Sequence, residues 1–107
     1  MKIVMIDQCS VHENRTVQDA EPVEVDVRNG KEAREETKIF IGRDQTLTHF
    51  WGTWEDKRVM FICNDNGIAL GLRPNKQATI AYLGECIPGT MHVIVGPVVA
   101  LMHKDLW

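Results

Sequence analysis

The chain has 107 residues, 44% of them hydrophobic and 25% charged, which fits one ordinary globular domain spanning 1–107 and argues against intrinsic disorder. The formal net charge of −3 excludes a protein that binds nucleic acid by general phosphate neutralisation, because that needs clustered lysine and arginine. Three scattered cysteines fit reduced thiols. No apolar run reaches the ~20 residues of a membrane span, and Asp7 lies where a signal peptide is still apolar. We therefore expect a cytoplasmic protein without membrane contact.

The N-terminal part predicts two strands separated by a polar connection. Residues 2–6 are apolar on both faces, which is typical of a strand covered on both sides. Residues 7–21 show no sustained period and predict a connection. In residues 23–28 valines alternate with charged residues, which predicts a half-buried strand that Asn29 and Gly30 end.

The middle of the chain predicts one amphipathic helix and one aromatic strand. Residues 31–41 have helical spacing on one face and charged residues on the rest, and Gly42 suits the end of a helix. Residues 46–54 are rich in threonine and aromatics and favour extended structure, with Gly52 marking a bulge. Residues 55–57 predict a turn.

Residues 57–63 predict the central strand, because apolar side chains occupy both of its faces. The Asn-Asp-Asn-Gly segment 64–67 predicts a tight turn that returns the chain as a second strand over 68–72. A proline corner follows, and Asn75 is a suitable N-cap for a short helix over 76–83 that a glycine ends.

The C-terminal part predicts a turn at 88–89 and a strand over 91–102 that is interrupted at Gly96 and Pro97. Pro97 cannot donate to a strand ladder, so this strand is expected at an edge of the sheet or with a bulge. The elements together predict an α+β fold, with a mostly antiparallel sheet of about five or six strands and one longer and one short helix.

Short motifs in the second half of the chain resemble those of a family of small phage and bacterial proteins, the domain-of-unknown-function 3846 family. The motifs are Asn-Asp-Asn-Gly at 64–67, Gly-Leu at 71–72, Pro-Asn-Lys at 74–76 and Ile-Val-Gly at 94–96. The chain departs from the family by having Arg73 before the proline, and Lys76 where the family is expected to have arginine. The resemblance implies a phage or bacterial origin and a compact α+β fold, and it transfers no activity.

The aromatic segment around Trp51 and Trp54 is the first candidate binding site. In a regular strand its side chains alternate between two faces, with Phe50, Gly52 and Trp54 on one and His49, Trp51 and Thr53 on the other. One indole is then expected outside, where it suits stacking on a base or anchoring a partner protein. The alternative is that both tryptophans cover the small core.

The proline corner is the second candidate, because Arg73, Asn75 and Lys76 lie at a predicted helix N-terminus. Free amides and the helix dipole favour an anion such as a phosphate there. The alternative is structural: Asn75 acts as a cap, the two charges are solvated, and the glycine-rich loop that usually cradles phosphates is missing.

Neither a metal, a cofactor nor catalysis is expected. The four histidines and three cysteines contain no C-x-x-C or H-x-x-x-H pair, so zinc ligands would have to come from distant positions. Cys9 or Cys86 beside a histidine could make a nucleophile and base, yet no residue nearby supplies an oxyanion site or orients the base.

The sequence therefore predicts a small non-enzymatic accessory protein of phage or bacterial type that blocks or sequesters a host factor. One variant has a host protein as target, docked through Trp51 or Trp54. The other has a small anionic nucleotide signal, held by Arg73, Lys76 and an aromatic stack. The alternatives are a nucleotide-processing enzyme and a structural or assembly subunit that forms homo-oligomers.

Overall fold

A five-stranded antiparallel sheet with one helix on each face forms the fold. The computed structural model describes residues 2–8, 10–11, 17–18, 20–83 and 94–102. The elements in chain order are β1 (Lys2–Ile6), β2 (Ser10–Val11), β3 (Val17–Gln18), β4 (Val23–Asp26), α1 (Gly30–Ile41), β5 (Leu47–Trp54), β6 (Lys57–Asn64), α2 (Lys76–Leu83) and β7 (Val98–Met102). The sheet order is β4-β1-β7-β6-β5, and β2 and β3 form a separate pair within the predicted connection. The predicted α+β class, with a longer and a shorter helix, is confirmed.

The three inner strands β1, β7 and β6 are apolar on both faces because each face has its own core. Alternate residues of a strand point to opposite faces, so Ile3 and Val4 enter different clusters. Ala33 of α1 lies in the cluster with Ile3, whereas Ala78 of α2 lies in the cluster with Val4. The two helices thus cover opposite faces of the sheet.

Helix α1 matches its prediction to within one residue at its start. Asn29 is the N-cap, and its side-chain oxygen accepts the Glu32 N–H at 2.9 Å. The Gly42 N–H donates to the Lys38 carbonyl at 2.8 Å, and Gly42 has a φ of 133°, which closes the helix at the predicted position. Asn29 and Gly30 therefore begin the helix as well as following the strand.

The tight hairpin of the protein joins β5 to β6. Glu55 and Asp56 form its two-residue turn with φ values of 49° and 65°, as a type I′ turn requires. Pairing runs without interruption along the whole of β5, so the predicted bulge at Gly52 is wrong. Glycine is needed there for space, because a Cβ at this position would lie 2.7 Å from the Phe61 ring.

The hairpin predicted at 64–67, with a return strand over 68–72, is wrong. The Asn66 N–H donates to the Asn64 side chain at 2.8 Å, and the Leu70 N–H donates to the Asn66 carbonyl at 2.9 Å. These local bonds wind the chain through successive turns instead of a strand. Alternating apolar residues misled the prediction, since Ile68 is 66% exposed and Leu70 is 54% exposed.

The strand predicted to lie at an edge or to carry a bulge, β7, is instead the central strand of the sheet, and it pairs in an unbroken register with β1 and β6. All five of its residues are buried. Pro97 precedes the strand, so its missing N–H falls outside the ladder, and Gly96 with a φ of 82° turns the chain into it. The predicted helix-ending Gly84, the turn at 88–89 and the strand start at 91–93 lie outside the described residues.

Of the half-buried strand predicted at 23–28, residues Val23–Asp26 form β4, an edge strand, and the predicted core face is only partly buried. Val23 is exposed, Val25 is half-buried and Val27 is buried just beyond the strand.

Neither helix in the described part of the chain is long and apolar enough to cross a membrane.

Candidate functional site

A groove lies where the end of β5 meets the first turns of α2. We call it the Trp54 groove, and it has a volume of about 580 Å³, within the range of small-molecule sites of roughly 300–1,000 Å³. It is lined by Pro22, Thr53, Trp54, Glu55, Lys76, Gln77, Ile80 and Ala81. Two of the residues singled out in the sequence, Trp54 and Lys76, are therefore brought together.

Trp54 reaches the groove because it is the last residue of β5 and points to the α2 face of the sheet. Its half-buried indole packs against the core cluster that contains Val59 and Phe61, which limits its rotamers. The groove thus has a rigid aromatic wall, which suits stacking because little side-chain entropy remains to be lost.

Trp51 lies on the opposite face of β5, as the alternation predicts, and it takes no part in the groove. It is opposite Met60, whose side chain belongs to the α1 side of the sheet, and its own side chain is 36% exposed. The Arg58 guanidinium lies 5.2 Å from the centre of the Trp51 ring, a cation–π geometry. The two tryptophans therefore belong to different surfaces.

Lys76 and Gln77 open α2 and form the polar side of the groove. The Gln77 side-chain N–H donates to the Ala20 carbonyl at 2.8 Å, which holds the segment bearing Pro22 against the helix. Lys76 also interacts with another group of the protein, so an anion in the groove would share or replace that contact. The helix dipole adds partial positive charge at this end.

Asn75 is a buried structural residue beneath the groove. Its side chain is 1% exposed, and its oxygen accepts the Ala78 N–H at 3.2 Å, as the predicted cap requires. Its amide group also donates to the Ile6 carbonyl at 2.8 Å and to the Gly96 carbonyl at 2.9 Å. These internal bonds use the side chain fully, so Asn75 positions Lys76 instead of meeting a ligand.

Thr79 completes this buried polar network one turn later in α2. Its hydroxyl donates to the Asn75 carbonyl at 2.8 Å and accepts the Ile94 N–H at 3.0 Å. The start of α2 is thereby tied to the end of β1 and to the segment that leads into β7. The groove consequently rests on a rigid support.

Arg73 is exposed and is not part of the groove lining. Its backbone N–H donates to the Gln8 side chain at 3.2 Å, and its carbonyl accepts the Gly96 N–H at 2.8 Å. The structure therefore separates Arg73 from Lys76, although only two residues lie between them. Of the two predicted cations, Lys76 lines the Trp54 groove and Arg73 does not.

Several lining residues were missed in the sequence. Lys76 and Ile80 are four residues apart, as are Gln77 and Ala81, so the helical spacing of α2 could have placed them on one side. Pro22 could not be found this way, because a distant segment brings it to the groove.

The lining chemistry suits an amphipathic anion. Lys76 supplies a cation, Trp54 a flat aromatic surface, and Ile80, Ala81 and Pro22 an apolar floor. Glu55 adds a carboxylate that can accept N–H groups of a ligand.

Of the cysteines and histidines, the structure describes Cys63 and His49. Within the described residues, no three His, Cys, Asp or Glu side chains lie together as metal ligands would. Burial, and to a lesser degree the Asp65 charge, raises the pKa of the Cys63 thiol, so it is a structural thiol as its core position predicts. Cys9, Cys86, His12, His92 and His103 lie outside the described residues.

Comparison with known proteins adds no relative from which a function could be transferred. No family model, no curated protein and no solved structure matches the chain. The resemblance to the domain-of-unknown-function 3846 family therefore stays a hypothesis based on the short motifs alone.

Proposed function

We propose that the protein is a small non-enzymatic binding protein that sequesters a small anionic nucleotide in the Trp54 groove. The observation that carries this proposal is the placement of Trp54 and Lys76 in the lining of one groove. A nucleotide joins a flat base to a charged phosphate, and these two residue types match its two parts. An open groove of about 580 Å³ has room for such a molecule.

In this arrangement the base stacks on the exposed part of the Trp54 ring, a contact worth about 1–3 kcal/mol per base. The phosphate lies toward Lys76 at the start of α2, where the ammonium group and the helix dipole act in the same direction. Glu55 lies across the lining and accepts a base N–H group. The ligand would be held by its two ends.

The phage or bacterial setting of this proposal, and with it the sequestration of a host signal, rests on the motif resemblance. The non-enzymatic part rests on the missing catalytic constellation in the sequence. A nucleotide-processing enzyme is the rival, and it is distinguished by incubating the protein with a bound nucleotide and then identifying the nucleotide. Sequestration returns the ligand intact, whereas an enzyme returns a product.

A host protein as target is the second candidate, favoured by the exposed Trp51 with Arg58 stacked on it. Tryptophan and arginine are the residue types most enriched at energetically dominant positions of protein interfaces. This surface is on the opposite face of the sheet from the Trp54 groove. A variant of Trp51 would therefore affect only protein docking, whereas a variant of Lys76 would affect only nucleotide binding.

Tryptophan fluorescence tests the nucleotide proposal directly. In a background with Trp51 and Trp107 replaced by Phe, the remaining Trp54 reports stacking during titration with AMP, ADP and GMP. We expect quenching that saturates, and we expect Lys76→Gln to weaken binding by about tenfold, the loss of roughly 1.4 kcal/mol from one charge-assisted contact. Lys31→Gln on α1 is the matched control and should bind as tightly as the parent.

Removal of the indole gives the complementary test. Trp54→Leu keeps an apolar side chain against the core and should abolish stacking, which is followed by calorimetry because the fluorescent reporter is lost. Equal affinity in the parent, Lys76→Gln and Trp54→Leu would place the nucleotide elsewhere and overturn the proposal. If a folded protein bound none of the three nucleotides, the proposal of a nucleotide ligand would also be overturned.

A further inference from the structure

Glu55 places a carboxylate beside the aromatic wall of the Trp54 groove. It is one of the two charged residues that the described part of the chain gives to the groove lining, and Lys76 is the other. Glu55 directly follows Trp54 in the chain, so their Cα atoms are about 3.8 Å apart. The pairing of Trp54 with Lys57 fixes the backbone on either side of the turn. The acid of the lining is thus tethered next to the surface on which a base would stack.

The backbone at Glu55 is unusual for a glutamate. Its φ of 49° lies in the left-handed region, as the two-residue turn requires at both of its positions. Glycine, asparagine and aspartate are the residues that turns of this type prefer, and Asp56 is one of them. Nothing in the turn favours a glutamate at the first position, and backbone of this kind is typical of functional sites. The side chain of Glu55 therefore suggests a role outside the turn.

The Glu55 carboxylate has both of its oxygens available. Within the part of the chain that the structure describes, no ion pair or hydrogen bond engages it. A carboxylate accepts two parallel N–H groups side by side, and such paired, charge-assisted bonds are strong and directional. Among the common nucleobases, guanine alone presents two adjacent N–H groups, N1–H and N2–H. Adenine presents an N–H group beside the lone pair of N1, which a carboxylate repels.

We propose that Glu55 selects guanine, so that the ligand of the Trp54 groove is a guanine nucleotide. This inference rests on the nucleotide-binding function proposed above and adds the identity of the base. The opposite charges of Glu55 and Lys76 also set the orientation of the ligand. The base edge lies toward the turn and the phosphate toward the start of α2, because the reverse orientation would bring the phosphate against the carboxylate.

Calorimetric titration of the parent protein with GMP, IMP and AMP tests the base preference. The three ligands share the ribose and the phosphate and differ at the edge of the base. IMP keeps N1–H and lacks the N2 amino group, whereas AMP lacks both of the paired donors. We expect IMP to bind about tenfold more weakly than GMP, and AMP about a hundredfold more weakly, because each step removes one charge-assisted hydrogen bond.

Glu55→Gln assigns the preference to this side chain. Glutamine has nearly the same size, but an NH₂ group replaces one acceptor oxygen and meets the N–H groups of guanine. We expect GMP to bind at least about tenfold more weakly to this variant, while the affinity for AMP stays the same or rises. Asp56→Asn is the matched control, because it makes the same charge change at the next turn residue, which does not line the groove. It should keep the preference of the parent.

Glu55→Asn separates the turn from the ligand. Asparagine suits the first position of this turn, so the variant should raise the midpoint of thermal unfolding by about 2–5 °C in the absence of ligand. Its shorter side chain carries no charge, and we expect it to lose the preference for GMP over AMP. A more stable protein with less selectivity would show that the glutamate serves the ligand and not the fold.

The outcomes distinguish this inference from the proposed function. Equal affinity of the parent for GMP and AMP would overturn the assignment of guanine and leave the nucleotide proposal in place, because Trp54 and Lys76 act on any base. A preference for GMP that survives in Glu55→Gln would overturn the role of Glu55. Absence of binding by all three nucleotides would overturn the nucleotide proposal and this inference with it.

Discussion

Replacing Asn75 by alanine should destabilise the protein far more than the loss of a helix cap. The side chain is 1% exposed and makes three hydrogen bonds, one to the Ala78 N–H and two to the carbonyls of Ile6 and Gly96. Only the first of these is a capping bond. Asn75 therefore joins α2 to the end of β1 and to the segment before β7.

The expected size follows from these three bonds. Loss of the cap costs about 1 kcal/mol. Each of the two buried carbonyls left without a partner costs about 1–2 kcal/mol, because neither is returned to bulk water. The total is about 3–5 kcal/mol, a large part of the roughly 5–15 kcal/mol by which typical domains are stable.

Urea unfolding of Asn75→Ala and Asn75→Asp measures this effect. Aspartate keeps the capping oxygen but places a second carboxylate oxygen against the Ile6 and Gly96 carbonyls, so it should be at least as destabilising as alanine. If Asn75 acted only as a cap, aspartate would be as good as asparagine. An Asn75→Asp protein within about 0.5 kcal/mol of the parent would refute the network described above.

Three further predictions concern packing, pH and the two tryptophans. Gly52→Ala should cost about 1–3 kcal/mol in thermal unfolding, because the new Cβ lies 2.7 Å from a fully buried phenylalanine ring, whereas Gly30→Ala meets nothing within 4 Å and should not destabilise. Burial raises the pKa of the Cys63 thiol in the folded protein. The stabilisation from its neutral form is therefore complete below the ordinary thiol pKa of about 8.5, and it is lost as the pH rises above that value. In urea unfolding between about pH 7 and 10, the free energy of unfolding should decline less for Cys63→Val than for the parent protein. Trp54→Ala should lower the free energy of unfolding by about 2–4 kcal/mol, and Trp51→Ala by less than about 1.5 kcal/mol. In single-tryptophan proteins, acrylamide should quench the fluorescence of Trp51 more than that of Trp54. Equal quenching in a monomer would contradict the assigned faces.

Local patterns predicted the elements that depend on local interactions. The helical spacing of 31–41 and the predicted cap Asn75 act within one or two turns, and both helices were found within one residue at their starts. The cap role of Asn29 was not predicted, because Asn29 and Gly30 were assigned to the end of the preceding strand. The two apolar faces of 57–63 predicted the central strand. This segment is β6, an inner strand with a helix on each face of the sheet, whereas the central strand is β7. The predicted helices and strands together were sufficient for the α+β class.

The errors arose where non-local pairing decides the structure. The Asn-Asp-Asn-Gly segment has the residues of a hairpin turn, yet Gly67 is needed for its close approach to Val95, where a Cβ would lie 2.8 Å from a side-chain carbon. The hairpin turn between β5 and β6 uses Glu55 and Asp56 at positive φ, and glutamate is not among the residues enriched in that region. Pro97 suggested an edge, whereas the strand after it pairs with β1 and β6 from distant parts of the chain.

The candidate site was predicted in part for the same reason. Trp54 and Lys76 were both chosen for their chemistry, but the groove between them requires β5 to pack on α2, a contact no local pattern reports. Arg73 was grouped with Lys76 by sequence proximity, but of the two only Lys76 lines the groove. The sequence thus identifies side chains with suitable chemistry, whereas their placement in one groove depends on the tertiary structure.

The most direct test of the nucleotide proposal is the identity of small molecules that remain bound to the protein when it is purified from cells. Heat-released material from the parent protein, from Lys76→Gln and from Trp54→Leu is compared by mass spectrometry and by nucleobase absorbance. We predict an intact nucleotide in near-stoichiometric amount from the parent and much less from both variants. A parent that retains no nucleotide and also binds none when titrated, or that retains the same amount as both variants, would contradict the account.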